Sequence, residues 1–93
     1  MNKETRELKL INKYGLHVRP AGLFAKSASR YDAEVDVEKD GNVVSGKSIM
    51  ALMTLEAVNG TVLKVTAEGS QAKEVLDELE GLVNRKFDIP DEQ

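Results

Sequence analysis

The segment Ala33-Glu34-Val35-Asp36-Val37-Glu38-Lys39-Asp40-Gly41-Asn42-Val43-Val44 decides the fold. Apolar residues at 33, 35 and 37 alternate with acids at 34, 36 and 38, the period of a strand with one dry and one wet face. Asp40-Gly41 supplies the positive φ of a tight hairpin, and Val43-Val44 starts a short returning strand. Two further segments alternate in the same way. Over 5–11, Leu8 and Leu10 oppose Glu7 and Lys9. Over 61–67, beyond an Asn59-Gly60 turn, Leu63, Val65 and Ala67 oppose Lys64 and Thr66. Strands that all alternate imply an antiparallel sheet with one apolar face to cover.

The cover comes from segments with helical spacing. Val18, Ala21, Phe24 or Ala25, and Ala28 predict a helix over about 18–29, with Arg19, Lys26, Ser27 and Arg30 on its other side. Pro20 falls in the first turn, where its missing N–H costs no helical bond. Ser48 is placed to N-cap a short helix, Ile49-Met50-Ala51-Leu52-Met53, in which Ile49, Leu52 and Met53 are expected in the core. After Gly69-Ser70, an apolar stripe of Ala72, Val75, Leu76, Leu79, Leu82 and Val83 opposes Asp77, Glu78 and Glu80. The order is β-α-β-β-α-β-α. It describes an α+β, two-layer open-faced β-sandwich whose four-stranded antiparallel sheet is covered on one face by three helices. Residues 1–93 read as a single domain, with polar residues 86–93, around Pro90, as a loose tail.

Composition narrows the function. A net charge of −3 lacks the electrostatic footprint of a nucleic-acid binder. The absence of cysteine excludes a disulfide framework, a thiolate metal site and a thiol nucleophile, and fits a reducing compartment. No apolar run approaches the ~18 residues of a membrane span, and the polar opening Met1-Asn2-Lys3-Glu4-Thr5-Arg6 lacks an apolar signal core. The expectation is a cytoplasmic monomer without metal or cofactor. Asp36, Glu38 and Asp40 read as a wet strand face and a turn rather than a metal site.

Chemistry concentrates in Gly15-Leu16-His17-Val18-Arg19-Pro20-Ala21-Gly22. His17, the one histidine, lies where a loop enters a helix. Unpaired N–H groups and the positive end of the helix dipole favour an anion there. Arg19 is placed to add charge-assisted bonds to phosphoryl oxygens. Imidazole, with an ordinary pKa of about 6.5, keeps a large neutral, nucleophilic fraction at physiological pH and leaves phosphorus readily. On these residues alone three roles stay open: a helix cap, a site for a free anion, and a phosphoryl acceptor.

Together with Ser48–Met53, Gly60-Thr61-Val62-Leu63 and Ala67-Glu68-Gly69, the His17 stretch resembles the HPr family, the histidine-containing phosphocarriers of the phosphoenolpyruvate:sugar phosphotransferase system. The resemblance covers nearly the whole chain. It implies that Enzyme I, charged by phosphoenolpyruvate, phosphorylates His17 on Nδ1, that Arg19 pairs with the phosphate, and that the group passes to an enzyme IIA component. The chain would then be a stoichiometric intermediate without turnover of its own, not an enzyme. The resemblance also implies regulatory phosphorylation of Ser48 by HPr kinase/phosphorylase. Such a phosphate would sit at the start of the short helix and add roughly −1.5 to −2 charges beside the docking surface. That surface is expected to draw on Leu16, Val18, Pro20, Gly22, Lys47, Ile49, Met50 and Met53. Leu16 and Met50, if exposed, would form an apolar patch flanking His17 that adapts to several partners. Val18 and Gly22 depart from the Ala or Thr of many relatives. These departures leave open a sugar-transport or a nitrogen-related branch, while His17 argues against a branch that has lost the histidine. The alternative is a regulatory binding module acting through Ser48 and the Met50 surface.

Overall fold

The alternating segments pair into one sheet. The computed structural model describes residues 2–90. Strands β1 (Lys3–Lys9), β2 (Glu34–Lys39), β3 (Asn42–Ser45) and β4 (Val62–Glu68) lie in the order β1-β4-β2-β3, every neighbour antiparallel. Helices α1 (Val18–Ser29), α2 (Ile49–Met53) and α3 (Ala72–Asn84) cover one face. This is the open-faced α+β sandwich that the alternation requires. In the register, Leu8 faces Leu63, and Val65 lies between Arg6 and Val37. Leu8, Leu63, Val65, Ala67, Val35 and Val37 are buried under the helices, while Thr5, Lys64, Asp36 and Val43 face outward. Thr5 and Thr66 join hydroxyls at 3.0 Å on that outer face.

Strand β1 ends two residues earlier than the alternation suggests, because its partner β4 begins only at Val62. Leu10 still points into the core, but its backbone bonds to the turn instead: its N–H donates to the Thr61 carbonyl at 2.9 Å and its carbonyl accepts from Gly60 at 2.7 Å.

The α3 stripe is buried as its spacing predicts. In α1 the buried arc is Pro20, Ala21, Phe24, Ala25, Ser27 and Ala28. At about 100° per residue this arc centres on Phe24 and Ala28. Ser27 therefore falls inside it, where its hydroxyl accepts from Arg30 at 3.3 Å, and Val18 falls past its edge and is 60% exposed. Helix α2 also differs from expectation. At five residues it turns little more than once, so Leu52 is buried while Ile49 and Met53 stay about two-fifths exposed, at 43% and 42%.

Arg6 takes a helix-facing position on β1 and reaches α3, donating to Asp77 at 2.8 Å and Glu80 at 2.9 Å. Lys73 closes on the same Asp77 at 2.9 Å. Hydrogen bonds from Arg6 and then Lys73 hold the Asp77 carboxyl below the ordinary carboxylate range.

The expected loose tail is docked over most of its described part. Lys86–Asp88 form a left-handed turn with φ of 54°, 59° and 56°, Phe87 is only 1% exposed, and Ile89 packs on the core. Arg85 Nε holds Asp88 at 3.1 Å across the turn. Residues 91–93 of that tail lie outside the described residues.

Two outcomes follow. Phe87→Ala should lower the unfolding free energy by about 3–5 kcal/mol in urea titrations, since it empties a filled core position. The depressed carboxyl of Asp77 makes a contribution that is complete above its unfolded pKa and is lost as pH falls through the folded value. Acid unfolding curves of Asp77→Asn should therefore start lower at neutral pH and converge on the parent at low pH.

Candidate functional site

The loop from β1 to α1 is locked before it reaches His17. Gly15 adopts φ +64°, and a Cβ there would lie 2.3 Å from the Ala57 carbonyl oxygen, so only glycine fits. The tight approach lets the Leu16 N–H donate to that carbonyl at 2.8 Å. Buried Asn12 donates from Nδ2 to the Gly15 carbonyl at 2.8 Å, and Asn59 donates to the Asn12 carbonyl at 3.0 Å.

His17 then occupies the N-cap of the 12-residue α1 in an extended conformation. Its carbonyl accepts the Ala21 N–H at 2.9 Å, while its side chain makes no capping bond. The first turn holds no acid, and Pro20 has no N–H to offer. Val18 and Arg19 therefore supply the turn's backbone donors without an intrahelical acceptor. The half-buried imidazole meets the Tyr14 ring edge to face at 5.9 Å and 89°, and Lys13 lies over that tyrosine at 5.2 Å. Tyr14, Leu16, His17, Met53, Glu56, Ala57 and Val58 line a shallow depression of about 270 Å³. This geometry places one half-buried imidazole at an anion-favouring helix end, beside a shallow depression. Among the described residues no cluster suited to a metal ion is present.

Helix α2 brings the second motif alongside. A Cβ on Gly22 of α1 would sit 3.8 Å from Cδ1 of Ile49, so the two helices meet there in ordinary contact. Ser48 is extended, and its Oγ accepts the Ala51 N–H at 3.1 Å, the N-cap that its position predicts. Arg19 is exposed on the first turn of α1, and Met50 is 81% exposed.

The expected docking set divides. Leu16 is only 4% exposed and Pro20 is buried, so both support the site from beneath instead of presenting a surface. Lys47 lines a separate depression with Tyr31, Asp32, Glu34 and Glu68. The exposed apolar surface instead comprises Val18, Ile49, Met50 and Met53, joined by Tyr14 and Val58. Sequence reasoning passed over Tyr14, Val58, Asn12 and Ala57. For Tyr14 a signal was available, an aromatic side chain in a polar loop three residues before the histidine.

A family model described as "PTS HPr component phosphorylation site" matches residues 4–85. The chain belongs to the HPr family. The phosphocarrier protein HPr of Vibrio cholerae is 40% identical over 80 residues, spanning 86% of this chain and 94% of that protein. The crystal structure of HPr from Bacillus anthracis superposes with a TM-score of 0.85 at 38% identity, covering 89% of this chain and 99% of that one. Crh, the catabolite repression HPr of Bacillus subtilis, superposes with a TM-score of 0.69 at 40% identity, covering 88% and 95%. Membership of the HPr family supports a phosphocarrier role in the phosphotransferase system.

The two glycines of the site should respond in opposite directions. Gly22→Ala has room and removes a helix-interior glycine, so thermal melts should show a gain of up to ~1 kcal/mol. Gly15→Ala meets both a positive φ and the Ala57 carbonyl, and should lose at least ~1–2 kcal/mol in the same assay.

Proposed function

We propose that His17 is the phosphoryl acceptor of this HPr-family carrier, taking the group from phospho-Enzyme I and giving it to an enzyme IIA component. The observation that carries this reading is the uncapped N-terminus of α1, with His17 as its half-exposed N-cap and no acid in the first turn. In the first transfer a bond forms between a ring nitrogen of His17 and phosphorus while the donor's bond to phosphorus breaks. In the second that new bond breaks as the acceptor attacks, and the imidazole is regenerated. The phosphoryl oxygens accept from the Val18 and Arg19 N–H groups and pair with the Arg19 guanidinium. Resemblance to the family favours Nδ1 as the modified atom. The chain is a stoichiometric intermediate without turnover alone, working in the cytoplasm. No helix among the described residues is long and apolar enough to cross a membrane.

Ser48 is the regulatory position in this reading. Its oxygen already serves the Ala51 N–H, so a phosphate would keep an acceptor at that helix end while adding charge two residues from the exposed Met50. HPr kinase/phosphorylase is the enzyme class that would install it. A second reading, a regulatory binding module acting through Ser48 and Met50, draws support from the likeness to Crh.

Incubation with Enzyme I and labelled phosphoenolpyruvate tests the proposal. Acid-labile phosphate should appear on the parent and on Ser48→Ala and be absent from His17→Ala. Label retained by His17→Ala would overturn the assignment. A parent that takes phosphate only from ATP, and only on Ser48, would favour the regulatory module.

A further inference from the structure

Strand β2 ends on a residue that breaks its own pattern. Val35 and Val37 face the helices, and the next position on that face is Lys39. Its half-buried side chain crosses to the segment that follows α2, where Nζ donates to the Leu55 carbonyl at 3.0 Å and the Glu56 carbonyl at 3.2 Å. These carbonyls lie just past a helix end, where intrahelical donors have run out. The chain turns sharply at that point, with Glu56 at φ +51°. The next carbonyl, that of Ala57, accepts the Leu16 N–H at 2.8 Å and forms the wall against which Gly15 fits. Glu56, Ala57 and Val58 also line the depression that holds His17.

We propose that Lys39 is a positioning residue for His17, acting through residues 55–57. The ammonium clamps two consecutive carbonyls and so fixes where the third points. The third fixes Leu16, whose carbonyl-side neighbour is the N-cap imidazole. A phosphoryl acceptor must meet its donor in line and at close range, so small displacements of the ring carry large penalties in rate. The inference rests on the carrier reading of His17, while the clamp itself is a property of the loop.

The test compares Lys39→Met, which keeps the stem and removes the donors, with Lys39→Arg, which restores both charge and donors. Amide exchange at Leu16 should quicken on the order of tenfold in Lys39→Met while Val65, at the centre of the sheet, is unchanged. The rate of His17 phosphorylation at saturating phospho-Enzyme I should fall several-fold with KM unaltered, and Lys39→Arg should recover both. Lys39→Leu, which likewise removes the donors, replaces the methionine variant if the latter loses its fold. An unchanged Leu16 amide would overturn the proposal. So would a uniform rise in all amide exchange, which marks general destabilisation, or a change in KM alone, which marks charge steering of the partner. A parent protein that takes no phosphate on His17 would overturn the carrier reading instead, and the Leu16 measurement would still report on the clamp.

Discussion

Under the carrier reading, a helix whose N-terminus must receive a transferable anion has to be left open by its own N-cap. The N-caps of α1 and α2 show the contrast. Ser48 closes α2 with its hydroxyl on the Ala51 N–H. His17 stands in the same position on α1, also with an extended backbone, and its side chain makes no capping bond. Giving up a side-chain cap costs a helix typically ~1 kcal/mol. Helix α1 bears that cost with a first turn that also lacks the acid that would complement its dipole. What remains is a site whose donors and dipole favour an incoming negative group, with a proline directly behind them that directs no N–H of its own.

An open helix end is useful only if the residue in front of it does not wander. Here the restraint comes from the preceding loop rather than from the helix. Asn12 pins the loop internally, and the 57–59 segment holds it through Asn59 and the Ala57 carbonyl. Gly15 permits the approach that makes the bond to that carbonyl possible. The side chains that look most suited to docking by type, Leu16 and Pro20, are spent on holding this arrangement from inside. The apolar side chains left exposed around it are Val18, Met50, Met53, Ile49, Tyr14 and Val58.

Much of this was readable from residue order, and the failures have a common cause. The strands and α3 were plain because their burial repeats with a local period that the sequence carries by itself. The histidine and its helix entry were plain for the same reason. The rotation of the buried arc on α1, which exposes Val18 and buries Ser27, depends on how the helix sits over the sheet. Exposure of Ile49 and Met53 depends on α2 being too short to bury two faces. Phe87 and Ile89 stand alone in a polar segment, so no pattern announced that they would reach the core. Lys39 and Arg6 are charges at core-facing strand positions, and their partners lie 16 or more residues away in the chain. Such tertiary pairings leave no periodic trace.

The packing of α1 on α2 also limits how a charge at Ser48 can act. The two helices touch through Gly22 and Ile49 in ordinary van der Waals contact. Replacing a neutral cap by a dianion at the α2 N-terminus strengthens the local hydrogen bonding and suits the helix end. The interior therefore has little reason to rearrange. The altered quantity is the potential over Met50 and its apolar neighbours, felt by any partner approaching within about 8 Å at physiological ionic strength. Under the carrier reading, regulation at Ser48 is then a matter of encounter and desolvation at a shared surface. The geometry of the imidazole stays where the Gly15–Ala57 contact puts it.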